Sequence, residues 1–257
     1  MIKTIGLQLY SIREHMNDEE SIRESFRRIK AMGYDEAQTA GCKIPYADFG
    51  RIAREEGITI VGTHDNFDNM IANPKQAMEN HRLLGTTNMG IGGRFFNIND
   101  KSEVYRFIED ANKLADIIYE EGFRFTYHHH SHEFIKYDGV SIMDMLIEGL
   151  DPKKTAFVLD TYWLQHGGAD VSTWIKKLAG RVDILHLKDM GVMWNDAHAA
   201  TQYITEIGNG NINFEAAIKT ALDCGIKHFC VEQDVCPGDS YDSVKISADY
   251  IKKNFIK

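Results

Sequence analysis

The chain has 257 residues, 43% of them hydrophobic and 26% charged, with a formal net charge of −9. That length suffices for one large domain with a sizeable core, and the acidic balance argues against nucleic acid or an anionic membrane as the main partner, because phosphate binding needs a basic patch. There is no run of about 18 apolar residues to span a bilayer and no apolar leader with a cleavage site in MIKTIGLQLYSIR; Cys42, Cys224, Cys230 and Cys236 form no CxxC pair, so reduced thiols and a cytoplasmic location are the default expectations.

In chain order, a short apolar strand is expected at Thr4–Leu9, then a helix capped by Asp18 that ends near Gly33. A strand at Tyr34–Thr39 precedes a helix at Ala47–Glu56, and Ile58–Thr63 is a strand rich in β-branched residues. Helix Pro74–Leu84, strand Thr86–Ile91 and helix Ser102–Glu121 follow, then strand Phe123–His129, helix Ser141–Gly149 and strand Thr155–Asp160. Helix Val171–Leu178, strand Val182–Lys188, helix Asn213–Asp223, strand Lys227–Glu232 and helix Ser243–Asn254 complete the pattern. Glycines punctuate most of the helix ends. Strict strand–helix alternation implies a parallel sheet with helical crossovers. Eight such units of about 30 residues match a closed (β/α)8 TIM barrel, a single domain over residues 1–257. The competing doubly wound sheet would show a GxGxxG turn after its first strand, where this chain has LQLYSIR.

A barrel places function where strands end and loops begin. The expected strand ends carry Gln8 and Tyr10, Gln38, His64 and Asp65, Arg94, His128 and His130, Asp160, His186 and Lys188, and Glu232 with Asp234. The opposite rim is mostly glycine and turn residues, as in AMGY, EEGI and EEGF. In FRFTYHHHSHEF, strand alternation puts Arg124, Thr126, His128 and His130 on one face and Phe123, Phe125, Tyr127 and His129 on the other. His128, Asp160, His186 and Glu232 thus come from four consecutive strands, about 4.8 Å apart. Two imidazoles and two carboxylates at that spacing suit a divalent metal with open coordination positions, whether Mn2+, Zn2+, Co2+, Fe2+ or Mg2+.

With IGLQLYSIR, GYDEAQTAG, YHHHSHEF, VLDTYW, HLKDM, GNGNINF and VEQD in view, the whole chain resembles the xylose isomerase-like TIM barrel superfamily, in particular sugar phosphate isomerases/epimerases. The resemblance implies the same four metal ligands, and that His130 faces the substrate. It also implies a sugar isomerase or epimerase that removes a proton beside a metal-bound carbonyl, through an enediolate. His128 stands where many epimerases of the superfamily carry a catalytic glutamate, and Gln38 where the second strand often ends in one. The HNH-like fifth strand is also similar to lyases or hydratases and C-glycoside-cleaving subunits acting on 3-keto sugars, with His129 and Ser131 replacing the usual asparagine and aspartate. Three readings follow: an isomerase/epimerase, such a lyase, or a non-catalytic sugar-binding barrel. In each the partner is a small sugar or keto-sugar, and a homo-oligomer is compatible with all three. In the catalytic readings Glu232 is the first choice of base and His130 the second, because an imidazole titrates near neutrality. Gln8, Gln38, His64, His130, Lys188 and Trp163 are the expected substrate contacts, with Trp163 and Trp194 as candidate walls against a sugar ring. Lys188 is expected to hold an oxyanion or a phosphate, or to pair with Asp189, and Gly208–Asn209–Gly210 is read as a turn rather than a phosphate cradle.

Overall fold

The structure, a computed structural model, describes residues 1–256. The barrel strands are β1 (Ile5–Gln8), β2 (Tyr34–Thr39), β3 (Thr59–Thr63), β4 (Asn88–Ile91), β5 (Arg124–His128), β6 (Thr155–Asp160), β7 (Val182–Leu187) and β8 (His228–Val231). They form one parallel sheet in the order β3-β2-β1-β8-β7-β6-β5-β4, a nearly closed barrel as expected. The seam between β3 and β4 is stitched partly by side chains. Asn88 Nδ2 donates to the Val61 carbonyl at 2.9 Å, the Gly90 amide donates to Thr63 Oγ1 at 3.1 Å, and the Asp65 amide donates to the Gly90 carbonyl at 2.8 Å. Only glycine fits at position 90, since a Cβ there would lie 2.3 Å from the Thr63 carbonyl oxygen and 2.4 Å from Thr126 Oγ1. Gly90→Ala is expected to open this seam and cost about 1–3 kcal/mol, as overpacking of a tight core does; an unchanged denaturation midpoint would contradict the closure described.

Among the described residues ten α-helices cover the outside: α1 (Glu19–Met32), α2 (Tyr46–Glu55), α3 (Phe67–Ala72), α4 (Pro74–Leu84), α5 (Ser102–Tyr119), α6 (Ile142–Gly149), α7 (Thr161–His166), α8 (Val171–Lys177), α9 (Phe214–Asp223) and α10 (Ser240–Phe255). Their apolar stripes and the outward faces of the strands form the main core, with Phe26, Phe49, Phe125, Tyr127 and Phe157 fully buried in it. Two helices, α3 and α7, are additions to the expected eight. Each is six residues long, too short to show a helical period, and each is announced only by its cap, Asn66 or Asp160. The first strand ends at Gln8 rather than Leu9, because Leu9–His15 turns into a 3₁₀ helix. Two hairpins also decorate the barrel, Lys136–Tyr137 with Val140–Ser141, and a longer one of Asp189–Trp194 with Ala200–Thr205. Among the described residues no helix is long and apolar enough to cross a membrane, and all four cysteines are free.

Strand alternation builds the floor under the site. Val158, Ile184 and Cys230 lie two positions before Asp160, His186 and Glu232, and with Val61 of β3 they form a small buried cluster separate from the main core. This apolar plug fills the interior, so the polar groups above it converge on a closed bottom.

Candidate metal and substrate site

His128, Asp160, His186 and Glu232 each present one donor atom, and the four atoms lie within 4.8 Å of one another, all buried. His128 Nε2 is 3.5 Å from Asp160 Oδ2, which is 3.8 Å from His186 Nδ1, which in turn is 2.8 Å from Glu232 Oε2. None of these four atoms has a partner in hydrogen-bonding geometry. They converge on a common point, which is the arrangement a cation requires.

The local sequence explains how each is aimed. Asp160 ends β6 and caps α7, its Oδ1 accepting from the Trp163 amide at 3.0 Å, which leaves Oδ2 for the cluster. His129, facing outward from β5 as expected, donates from Nδ1 to the His130 carbonyl at 3.0 Å and accepts from the Asp160 amide at 3.1 Å on Nε2. It therefore locks the β5 end to the β6 end without touching the cluster. His186 Nε2 donates to Gln38 Oε1 at 2.5 Å, and the outer partner of a ligating imidazole sets which nitrogen keeps its lone pair.

Lys188 is inside the cluster. Its ammonium lies 3.1 Å from Asp160 Oδ2, 2.9 Å from Glu232 Oε2 and 3.1 Å from Asp234. Burial works against that charge, but the three carboxylates override it and hold the Lys188 pKa well above its usual value. Burial also tends to raise Glu232, yet Lys188 and His186 pull it well below the carboxylate range, whereas burial wins at Asp234 and pushes it up to about 6. Burial and neighbouring imidazoles hold His64 and His128 well below 6.5, and burial with Lys188 holds His130 at about 4. Three carboxylates face one ammonium, so the group carries excess negative charge that a divalent cation offsets. The residues present therefore fit such an ion, with imidazole and carboxylate donors as the first-row divalent metals prefer.

A cavity of about 420 Å³ opens above the cluster, lined by His64, His130, Lys188, Glu232, Asp234 and Phe95 among others. Trp163 packs against its wall, with its ring 5.0 Å from that of His130 and 5.2 Å from Lys188 Nζ. Gly93 is held at φ +109°, and a Cβ there would lie 2.8 Å from His130 Nδ1, so glycine is what lets His130 settle at the mouth. Gln8 and Gln38, at the ends of β1 and β2, are completely buried and hydrogen-bonded to each other, with Gln8 also reaching His64. Trp194 is 73% exposed at the end of a hairpin strand, away from the cavity lining. Lys188 pairs with Asp234, not with Asp189. The Asp189 carboxylate instead accepts from the backbone amides of Gly208, Gly210 and Ile212 at 2.9, 3.0 and 3.2 Å, so the glycine turn already holds an anion from its own chain.

Two residues escaped the sequence reading. Asp234 was visible only as a rim residue beyond β8. Glu133, on the 3₁₀ turn His132–Phe134, accepts from Tyr127 Oη at 2.7 Å and from the His130 amide at 2.8 Å, tying the loop after β5 to the core. Burial pushes Glu133 up to about 7 against those donors. The folded chain thus keeps a proton that the unfolded chain releases near 4.5, so stability falls as pH rises between those values and the full cost is present above about 7. Glu133→Gln lacks that penalty, and its stability relative to the natural chain is expected to improve by about 3 kcal/mol between pH 5 and pH 8. An equal difference at both pH values, measured by urea denaturation, would contradict a buried titrating carboxyl.

An inosose dehydratase from Geobacillus thermodenitrificans is 34% identical over 159 residues, covering 57% of this chain and 53% of that protein, so the match spans about half the relative's length. A sugar phosphate isomerase/epimerase from Parabacteroides distasonis has a solved structure with a TM-score of 0.79 at 26% identity, covering 99% of this chain and 100% of that one. A xylose isomerase-like TIM barrel protein from Mycobacterium smegmatis, solved in complex with magnesium, shares the fold at a TM-score of 0.73 and 15% identity, covering 98% of this chain and 96% of that one. Residues 20–253 match the family model described as xylose isomerase-like TIM barrel, and with the barrel and the strand-end cluster in place the chain belongs to that family.

Proposed function

We propose that the chain is a metal-dependent lyase that removes water from a keto-polyol, either a keto-sugar or a keto-cyclitol. The observation that carries this reading is the division of the rim into two arcs. Asp160, Glu232 and Asp234, with Lys188 among them, follow from β6 to β8, whereas His64, His128 and His130 follow from β3 to β5. Epimerisation by two opposed carboxylates needs one on each side of the substrate carbon, and the cavity-lining carboxylates, Glu232 and Asp234, both come from the β8 end. Elimination needs a base on one side and hydrogen-bonding groups for the departing hydroxyl, and the two arcs provide that division. The named activity of the Geobacillus thermodenitrificans relative supports the same reading.

His128, Asp160, His186 and Glu232 would hold a divalent cation, and the magnesium bound by the Mycobacterium smegmatis neighbour is in keeping with one. When bound, such an ion supplies Lewis-acid polarisation of a carbonyl and its neighbouring hydroxyl, which makes the adjacent carbon-bound proton acidic. Glu232 lines the cavity as an anion and accepts that proton. The Lys188 ammonium is fixed beside the negative charge that develops. The cavity-lining imidazole of His64, on the opposite arc, hydrogen-bonds the departing hydroxyl, which takes up a solvent proton and leaves as water. His130, whose Nδ1 has no protein partner, hydrogen-bonds a substrate oxygen, and Trp163 supplies an apolar wall.

Sugar epimerisation is the second reading, favoured by the name of the Parabacteroides distasonis relative. It begins with the same proton removal and differs only in returning the proton to carbon. Inosose incubated with the protein and Mg2+ or Mn2+ in heavy water separates the two. The expected result is loss of one water by mass spectrometry. Deuterium uptake into inosose without water loss supports the epimerase and overturns the lyase reading, and full turnover by Glu232→Gln removes the assigned base.

A further inference from the structure

One buried amide is hydrogen-bonded to two of the site's elements at once. Gln8 Oε1 accepts from the Tyr10 amide at 2.8 Å. A backbone N–H is an unambiguous donor, so it fixes which end of the Gln8 amide is oxygen. The NH2 end then has two hydrogens and two neighbours, Gln38 Oε1 at 3.1 Å and His64 Nδ1 at 3.1 Å. Both neighbours are thereby forced to accept. Turning Gln38 over would set two NH2 groups against each other.

Two proton positions follow. Gln38 Oε1 accepts from Gln8, so the His186 nitrogen 2.5 Å away, Nε2, must donate. A neutral His186 then has its lone pair on Nδ1, the atom that faces Asp160 and Glu232. His64 accepts at Nδ1, so a neutral His64 carries its proton on Nε2. That atom is buried, has no protein partner, and belongs to a side chain lining the cavity. No carboxylate pairs with either nitrogen of His64 to favour a charged ring.

We propose that Gln8 is a positioning residue that sets the tautomers of two imidazoles through one amide. It keeps His186 Nδ1 free as an electron-pair donor for a cation, and it makes His64 Nε2–H a neutral hydrogen-bond donor aimed at an oxygen of the bound ligand. The tautomer assignment is independent of the reaction, while the role of His64 toward an oxygen rests on the cavity being the substrate site. A glutamate at position 8 would instead accept from His64 Nδ1–H and reverse or charge that ring.

Long-range 1H–15N NMR of metal-free protein labelled with 15N-histidine tests this without any substrate. His64 and His186 are assigned from the spectra of His64→Gln and His186→Gln. His64 in the natural chain is expected as a pure Nε2–H tautomer, and His186 as a ring that keeps a proton on Nε2, with Nδ1 beside the Glu232 carboxylate. In Gln8→Leu, with no donor left at Nδ1, His64 is expected to become a mixture of tautomers, and in Gln8→Glu it should become Nδ1–H. An Nδ1–H or mixed His64 in the natural chain overturns the proposal, as does a His64 pattern unchanged in both Gln8 variants. The natural-chain spectrum decides the assignment even if a variant fails to fold. Failure to turn over inosose leaves this result untouched, so the two readings fail separately.

Discussion

Asp160→Asn is expected to leave the barrel folded while weakening divalent-cation binding by at least about 100-fold and turnover by about 1,000-fold. The two oxygens of Asp160 have separate tasks. Oδ1 caps α7 through the Trp163 amide at 3.0 Å, and the asparagine carbonyl takes over that bond. Oδ2 faces His128 Nε2, His186 Nδ1 and Lys188 Nζ, and there the substitution places an uncharged NH2 donor 3.1 Å from an ammonium. Cap and cluster are therefore separable by one atom. Calorimetric titration with Mn2+ alongside circular dichroism checks the claim. Unchanged affinity in a folded variant would remove Asp160 from the ligand set, and a collapsed circular dichroism signal would show that the cap had not been preserved.

The parts of the fold that repeat were legible because they obey a period. Strands of alternating pattern and glycine-stopped helices carry their own phase, and that phase placed His128, Asp160, His186 and Glu232 on inward faces and His129 outward. What the phase does not contain is depth. Gln8 and Gln38 end strands just as His64 does, yet both are completely buried and meet imidazole nitrogens instead of lining the cavity. Nor does it contain the path of a loop once a strand has ended. Asp234 lies beyond β8, but the chain turns so that its carboxylate returns to Lys188, and Glu133 folds back under His130 from a 3₁₀ turn. The fate of Lys188 was hidden for the same reason. Its neighbour in sequence, Asp189, is drawn to the amides of the 208–212 turn, which leaves the lysine to a carboxylate 46 positions away.

Lys188→Met is expected to destabilise the metal-free protein by about 3–5 kcal/mol, roughly 10 °C in melting temperature for a domain of this size. Methionine matches the length of the side chain, so little packing is lost. What is lost is the one ammonium among Asp160, Glu232 and Asp234, all within 3.1 Å of it, with Asp160 and Glu232 almost wholly buried. Removing one partner of a buried ion cluster leaves the others desolvated and mutually repelled, which costs more than the cluster contributes when intact. A divalent cation replaces positive charge at the same place, so Mn2+ is expected to raise the melting temperature of the variant more than that of the natural chain. In the natural chain the cation adds to a cluster already partly neutralised by Lys188, whereas in the variant it neutralises carboxylates that have lost their ammonium. Scanning calorimetry with and without Mn2+ reads both effects. If metal-free Lys188→Met melts with the natural chain, the three carboxylates do not bear on one ammonium, and the charge balance on which the cation site rests fails with it.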